Sequence, residues 1–418
     1  MSQNKPIRRR EKMEERLNRQ MLIEGWNQEV LSNSEITIIG DSPQLTSIYV
    51  LSAAALGINN QKVISPDMDK YYVEIAKKIN PNLKFGYLEG YFVHKQMKNF
   101  LKDSKAIIDL SNYNLAKKQL IELSYLSEIP LILSSISNKI KIFTYKKGRE
   151  WKTLEEILSE KELPSKRDVD IISSGLSSGL ILEETKNILM DKYISDSLIK
   201  YNLTEDKSYK NIKALVVGAG ALGNFVGLGL AGSGVERIDF IDPDNIEETN
   251  LNRQIFFYES VGKPKAKILA KRLGNLYKIK TEGIADYFKS STPIDEYDVI
   301  FDCVDNFESR IVISEKCKEK KKMLVSGGTS IDAGQVITYL PGVSEKTPAE
   351  FLDLYKIVDK RKVEEYKRER ASCVYRPNPS VIMSNEIIGM LMVDKFKKML
   401  DGTAENVYYD AKSENKVG

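Results

Sequence analysis

Between Ala214 and Gln254 the chain gathers the residue types that a nucleotide needs. Ala214, Leu215, Val216 and Val217 read as a buried strand, and they run into Gly218-Ala219-Gly220-Ala221-Leu222-Gly223, a glycine turn opening a helix. Glycine there lets the backbone approach a phosphate at a helix N-terminus. A second strand, Arg237 to Ile241, closes on Asp242, an acid placed to hydrogen-bond a ribose hydroxyl in a doubly wound sheet. That much indicates only a nucleotide. Next come Asn250-Leu251-Asn252-Arg253-Gln254 and Gly262-Lys263-Pro264-Lys265-Ala266. A dehydrogenase has no use for Asn, Arg and Lys bunched beyond its ribose acid. An enzyme that holds a triphosphate while a carboxylate attacks the α-phosphorus needs fixed donors and cations in that place.

The pattern continues in Asp298-Val299-Ile300-Phe301-Asp302-Cys303-Val304-Asp305-Asn306 and in the strands from Met323 to Tyr339. In this order the runs resemble the nucleotide site of the ThiF/MoeB and ubiquitin-activating enzyme superfamily. The resemblance implies ATP and Mg²⁺ as cofactors, with the turn of Gly218, Gly220 and Gly223 against the nucleotide. It implies Asp242 for ribose, Asn250, Arg253, Gln254 and Lys265 for phosphates, and Asp305 for the metal. Arg16-Leu17-Asn18-Arg19-Gln20 resembles the superfamily's leading helix, which lends an arginine to the phosphates of a partner protomer. Many relatives carry two CxxC pairs that bind zinc. Cys303, Cys317 and Cys373 form none, so no structural zinc is expected.

Two α/β units must position these residues, and they read as repeats. Ile36 to Gly40 parallels Ala214 to Gly218, the stretch ending at Asp67 parallels that ending at Asp244, and Ala106 to Tyr113 parallels Val299 to Asn306. The expected architecture is two Rossmann-like, ThiF-type domains in tandem: 1–193 a degenerate pseudo-repeat, and 194–418 the adenylation domain, with a crossover loop at about 342–372. In the first copy Asp41 and Pro43 replace the glycines, Ser65 stands in for Asp242 and Asn112 for Asp305. Counting back from the second copy's strand puts Asp196 or Ser197 where Arg19 falls in the first. One copy thus keeps the arginine and the other the pocket. Arg19 is therefore expected to cross the interface as an arginine finger on the second domain's ATP.

Ala371-Ser372-Cys373-Val374-Tyr375-Arg376-Pro377 follows the crossover loop. It resembles the run around the catalytic cysteine of non-canonical activating enzymes of ubiquitin-like systems. A thiol beside Arg376 has reason to ionise. The resemblance implies adenylation of the C-terminal glycine carboxylate of a small β-grasp protein, then thioester formation on Cys373, with Arg19, Arg253 and Asp305 serving the first step. A conjugating enzyme is a possible further partner. One alternative is adenylation of a sulfur-carrier protein or ribosomal peptide with Cys373 idle; another is a nucleotide-binding scaffold without turnover. With 63 Lys and Arg against 59 Asp and Glu, a net charge of +4 and no basic-aromatic patch, the chain gives no sign of nucleic-acid binding. One histidine leaves no Ser-His-Asp constellation. No apolar run suits a membrane span or a signal peptide, and three cysteines fit a reducing compartment, so a cytoplasmic protein is expected. Two fused repeats would work as a monomer, or pair again as a homodimer.

Overall fold

A computed structural model describes residues 15–150, 154–159, 161–205, 209–361 and 379–418. Seven strands build a first sheet: β1 (Glu35–Ile39), β2 (Asn60–Ser65), β3 (Lys84–Glu89), β4 (Ala106–Asp109), β5 (Leu131–Ile136), β6 (Lys139–Tyr145) and β7 (Ile199–Asn202). Seven more build a second: β8 (Lys213–Val217), β9 (Arg237–Ile241), β10 (Lys280–Ile284), β11 (Val299–Asp302), β12 (Met323–Thr329), β13 (Ala333–Tyr339) and β14 (Val407–Asp410). The spatial orders, β3-β2-β1-β4-β5-β6-β7 and β10-β9-β8-β11-β12-β13-β14, are the same. In each sheet the first five neighbours run parallel and the last two strands antiparallel. This is the expected tandem of Rossmann-like α/β units.

Four helices fill the space between the sheets: α1 (Pro43–Leu56), α2 (Ile171–Leu189), α3 (Ala221–Gly232) and α4 (Ile382–Met399). Their residues are mostly apolar or small on every side, the mark of a helix with no solvent face, and acids within them such as Glu183, Glu184, Glu386 and Asp394 are buried too. Every residue from Ile171 to Ile188 is buried, and Asp170 caps that helix by accepting from the Ile172 and Ser173 N–H groups. Ile48, Leu180, Phe225 and Ile387 belong to one continuous core, so the two lobes share their apolar interior. The outer face of each sheet carries its own smaller core, under the helices Asn114–Ser127 and Phe307–Glu319.

The last strand of the first sheet lies beyond residue 193. Ile199–Asn202 is hydrogen-bonded to β6, with Ile142 opposite Ile199, so the chain leaves the first sheet only after Asn202. Each repeat closes with a central helix and then one short antiparallel strand, Ile199–Asn202 in one and Val407–Asp410 in the other. Four residues of alternating burial are too short a signal to read without their partner strand. Asp196 and Ser197 consequently lie in the approach to β7 and not on a helix. Among the described residues, no counterpart of the helical turn at 15–21 precedes β8.

Candidate active site

The site follows from register. Val217 pairs with Ile241 on one side and Asp302 on the other, so Gly218, Asp242 and Cys303 leave three adjacent strands side by side. Gly218 has φ +98°, and a Cβ on it would stand 2.7 Å from the Cys303 carbonyl oxygen. Only glycine fits there. A Cβ on Gly223 would collide with the Gly218 carbonyl, which forces a tight turn. At Gly220, the N-cap of α3, a Cβ would meet nothing within 4 Å, and no side chain caps the helix. The turn is thus closed on its protein side and open where the first N–H groups of α3 point.

Asp242 is buried beneath this turn. Its carboxylate accepts from the Ala219 N–H at 2.7 Å and the Asp244 N–H at 2.8 Å. Burial raises its proton affinity, Lys265 opposes that rise, and Asp244 adds to it. Lys265 donates to Asp244 at 2.8 Å. Asp244 is largely exposed, so the ammonium is held at the edge of the site by a partner that a phosphate could replace.

Asn250, Arg253 and Gln254 are all buried. Asn250 accepts from the Glu247 N–H at 2.9 Å, so its carbonyl oxygen shapes the turn. Arg253 donates to the Thr249 carbonyl at 2.8 Å and to Asn252 Oδ1 at 2.7 Å. Gln254 Oε1 is buried with no hydrogen-bond partner among the described residues. A buried orphan acceptor of this kind is costly unless a ligand or water satisfies it. Asp305 is exposed two residues beyond the strand-end carbonyl that Gly218 touches, and among the described residues it forms no ion pair. Beside it, Asn306 caps the helix Phe307–Glu319 by accepting from the Ser309 N–H at 2.8 Å. Among the described residues, no three His, Cys, Asp or Glu side chains gather into a metal cage. One exposed carboxylate at the turn fits a metal held mainly by phosphate oxygens.

Arg19 sits on the helical turn at 15–21, and this turn packs on the second lobe. The Ser380 N–H donates to the Arg19 carbonyl at 3.3 Å, and Asn252 donates to Gln20 Oε1 at 3.0 Å. Arg19 itself is 5% exposed. The first lobe's RLNRQ run therefore lies against the second lobe's NLNRQ run.

Sequence reasoning missed three residues that build this site: Gln20, Asn252 and Asn224. Asn224 donates to the Ala219 and Gly220 carbonyls at 3.2 and 2.8 Å and accepts from the Phe256 N–H at 3.0 Å, tying the glycine turn to the segment after Gln254. A lone amide in an otherwise apolar helix was the available signal. Cys373 lies outside the described residues. Burial raises the Cys303 and Cys317 thiols well above their usual range, so neither is a nucleophile at neutral pH.

The same end of the first sheet is filled. Asp41 is fully buried; its carboxylate accepts from the Asn112 N–H at 2.8 Å and from Arg167 Nε at 2.8 Å. Arg167 also donates to the Ile136 and Leu110 carbonyls. A Cβ on Gly40 would collide with Thr46. The acid at this turn does more than repel an anion, because it supplies one, already matched to an arginine of its own lobe.

Residues 195–415, more than half of the chain, match the ThiF family, and the chain belongs to it. An adenylyltransferase and sulfurtransferase MOCS3 from Dictyostelium discoideum is 33% identical over 170 residues, covering 36% of this chain and 40% of that protein. A probable molybdopterin-synthase adenylyltransferase from Porphyra purpurea is 34% identical over 147 residues, covering 34% and 38%. The chain thus spans about two fifths of the length of these curated relatives. Among solved structures, E. coli MccB with ATP is similar at a TM-score of 0.40 and 22% identity, covering 50% of this chain and 64% of that one. No helix among the described residues is long and apolar enough to cross a membrane.

Proposed function

We propose that this protein is an ATP-dependent adenylyltransferase that activates the C-terminal carboxylate of a small carrier protein of the sulfur-carrier type. One contrast carries the reading. The strand ends of the second sheet hold an open glycine turn, a buried acid, three cationic or amide side chains and an orphan acceptor, while the equivalent place in the first sheet is closed by Asp41 and Arg167. Names of relatives that join adenylyl transfer to sulfur transfer favour a sulfur carrier over a conjugated modifier.

In this reading Asp242 orients the ribose, and the Gly218–Gly223 turn receives phosphate. Arg253, Lys265 and the amide nitrogen of Gln254 hold the triphosphate, Asn250 shapes the turn that presents them, and Arg19 adds a charge from the first lobe, residues 1–193. Residues 194–418 form the catalytic unit; of its crossover loop, expected at about 342–372, residues 362–372 lie outside the described residues, and the described part packs on the helix Phe307–Glu319 through Ala349, Leu354 and Val358. Magnesium, when bound, would neutralise phosphate charge, and Asp305 is the carboxylate fitted to hold it. No general base is required, because the attacking carboxylate is ionised at neutral pH. The protein's work is to position the reactants and to stabilise charge on the phosphates.

The test is ATP–pyrophosphate exchange with a purified sulfur-carrier protein ending in glycine. Exchange that depends on both carrier and magnesium is expected. Its absence, with ATP bound unchanged, would favour a nucleotide-binding scaffold. A second reading rests on the Cys373-Val374-Tyr375-Arg376-Pro377 run, in which Cys373 takes the acyl group of a ubiquitin-like protein as a thioester before a conjugating enzyme receives it. A carrier adduct released by dithiothreitol would establish that second reading.

A further inference from the structure

The first lobe reaches the candidate phosphate site through a buried chain of side-chain hydrogen bonds, separate from the Arg19 charge. Gln20 Nε2 donates to the Leu56 carbonyl at 2.8 Å and to Gln28 Oε1 at 2.6 Å. Its Oε1 accepts from Asn252 Nδ2 at 3.0 Å, and Asn252 Oδ1 accepts from Arg253 at 2.7 Å. Gln20 and Asn252 are both fully buried, at 0% exposure. The chain has one direction only. The Leu56 carbonyl can only accept, so the Gln20 nitrogen must face it and the oxygen must face Asn252. Arg253 can only donate, so the Asn252 oxygen must face it. Both amide orientations are fixed from their two ends, and neither can flip without leaving a buried group unpaired.

We propose that Gln20 is a positioning residue for Arg253, holding the guanidinium in place for phosphate through Asn252. The inference rests on the reading of Arg253 as a phosphate-binding side chain. Gln20 touches no reacting atom. It makes the second lobe's cation dependent on the first lobe being docked, since its nitrogen is anchored on the carbonyl that ends α1. Asn252 Nδ2 also lies 3.4 Å from the Ser380 carbonyl, where the chain returns to α4.

The experiment is equilibrium dialysis of the full chain with radiolabelled ATP and Mg²⁺. Wild type is compared with Gln20→Leu, Arg253→Ala and the double variant. Gln20→Leu is expected to weaken ATP binding up to about tenfold, as loss of the buried Gln20–Asn252 hydrogen bond between two neutral amides would. In the Arg253→Ala background the same change should cost less than about twofold, because the residue it positions is gone. Wild-type affinity in Gln20→Leu, or a loss that multiplies in full with that of Arg253→Ala, overturns the proposal, since a merely structural glutamine would act independently of Arg253. Should Gln20→Leu not fold, Asn252→Ala interrupts the same chain from the other lobe and must show the same loss and the same non-additivity. Absence of ATP binding by the wild type refutes the adenylation reading and removes the basis of this one.

Discussion

Glu386 lies on α4 in the middle of the interlobe helix layer, fully buried, with the Ser52 hydroxyl donating to it at 3.0 Å and Ser178 beside it. Among the described residues, no cation offsets it. Tyr49 is the titratable group that faces it, itself hydrogen-bonded to Thr185 at 2.7 Å. Burial raises the carboxyl to about 8 from the ordinary 4.5. A folded-state value above the unfolded one means the folded chain holds a proton that the unfolded chain has lost. The stability associated with the neutral carboxyl is complete below pH 4.5, falls as pH rises through the window to about 8, and changes no further above it. Within that window the slope is about 1.4 kcal/mol per pH unit, so roughly 3 kcal/mol is lost between pH 5 and 7.5. Glu386→Gln keeps the shape and is neutral in both states. Other titrating groups affect both proteins alike, so the difference between the two isolates Glu386. Urea unfolding followed by tryptophan fluorescence should give nearly equal stability at pH 5, with the variant ahead by roughly 3 kcal/mol at pH 7.5. Parallel profiles over that range would refute the reasoning. They would mean that water or a shifted serine solvates the carboxylate in the folded protein.

Gly218→Ala would place a methyl 2.7 Å from the Cys303 carbonyl oxygen at φ +98°, so the turn must deform. ATP binding measured by dialysis should fall at least about tenfold, and stability by more than about 1 kcal/mol. Arg167→Leu leaves Asp41 charged and buried in the first lobe and should cost about 3–5 kcal/mol in urea unfolding, without a gain of nucleotide binding there. Under the sulfur-carrier reading, Cys373→Ala should form carrier adenylate as the wild type does, with no dithiothreitol-sensitive adduct from either on mass spectrometry; loss of such an adduct in the variant would favour the thioester.

The glycine turn, the acid closing β9 and the NLNRQ and GKPKA runs were legible in the sequence because each is local. Strand, turn and helix follow one another there, and a nucleotide needs those residue types in that order. The repeat was legible because both halves keep the same apolar strands at matching places. Which side chains pair with which was not legible. Whether Asp41 repels an anion or already has its cation depends on Arg167, 126 residues away. Whether Ile199–Asn202 belongs to one lobe or the other depends on strand β6. The Gln20–Asn252 bond spans 232 residues, and nothing in either pentapeptide names the other. Burial decides these matters. A polar group removed from water must find its partner in space, and only the packed lobes determine which one it meets.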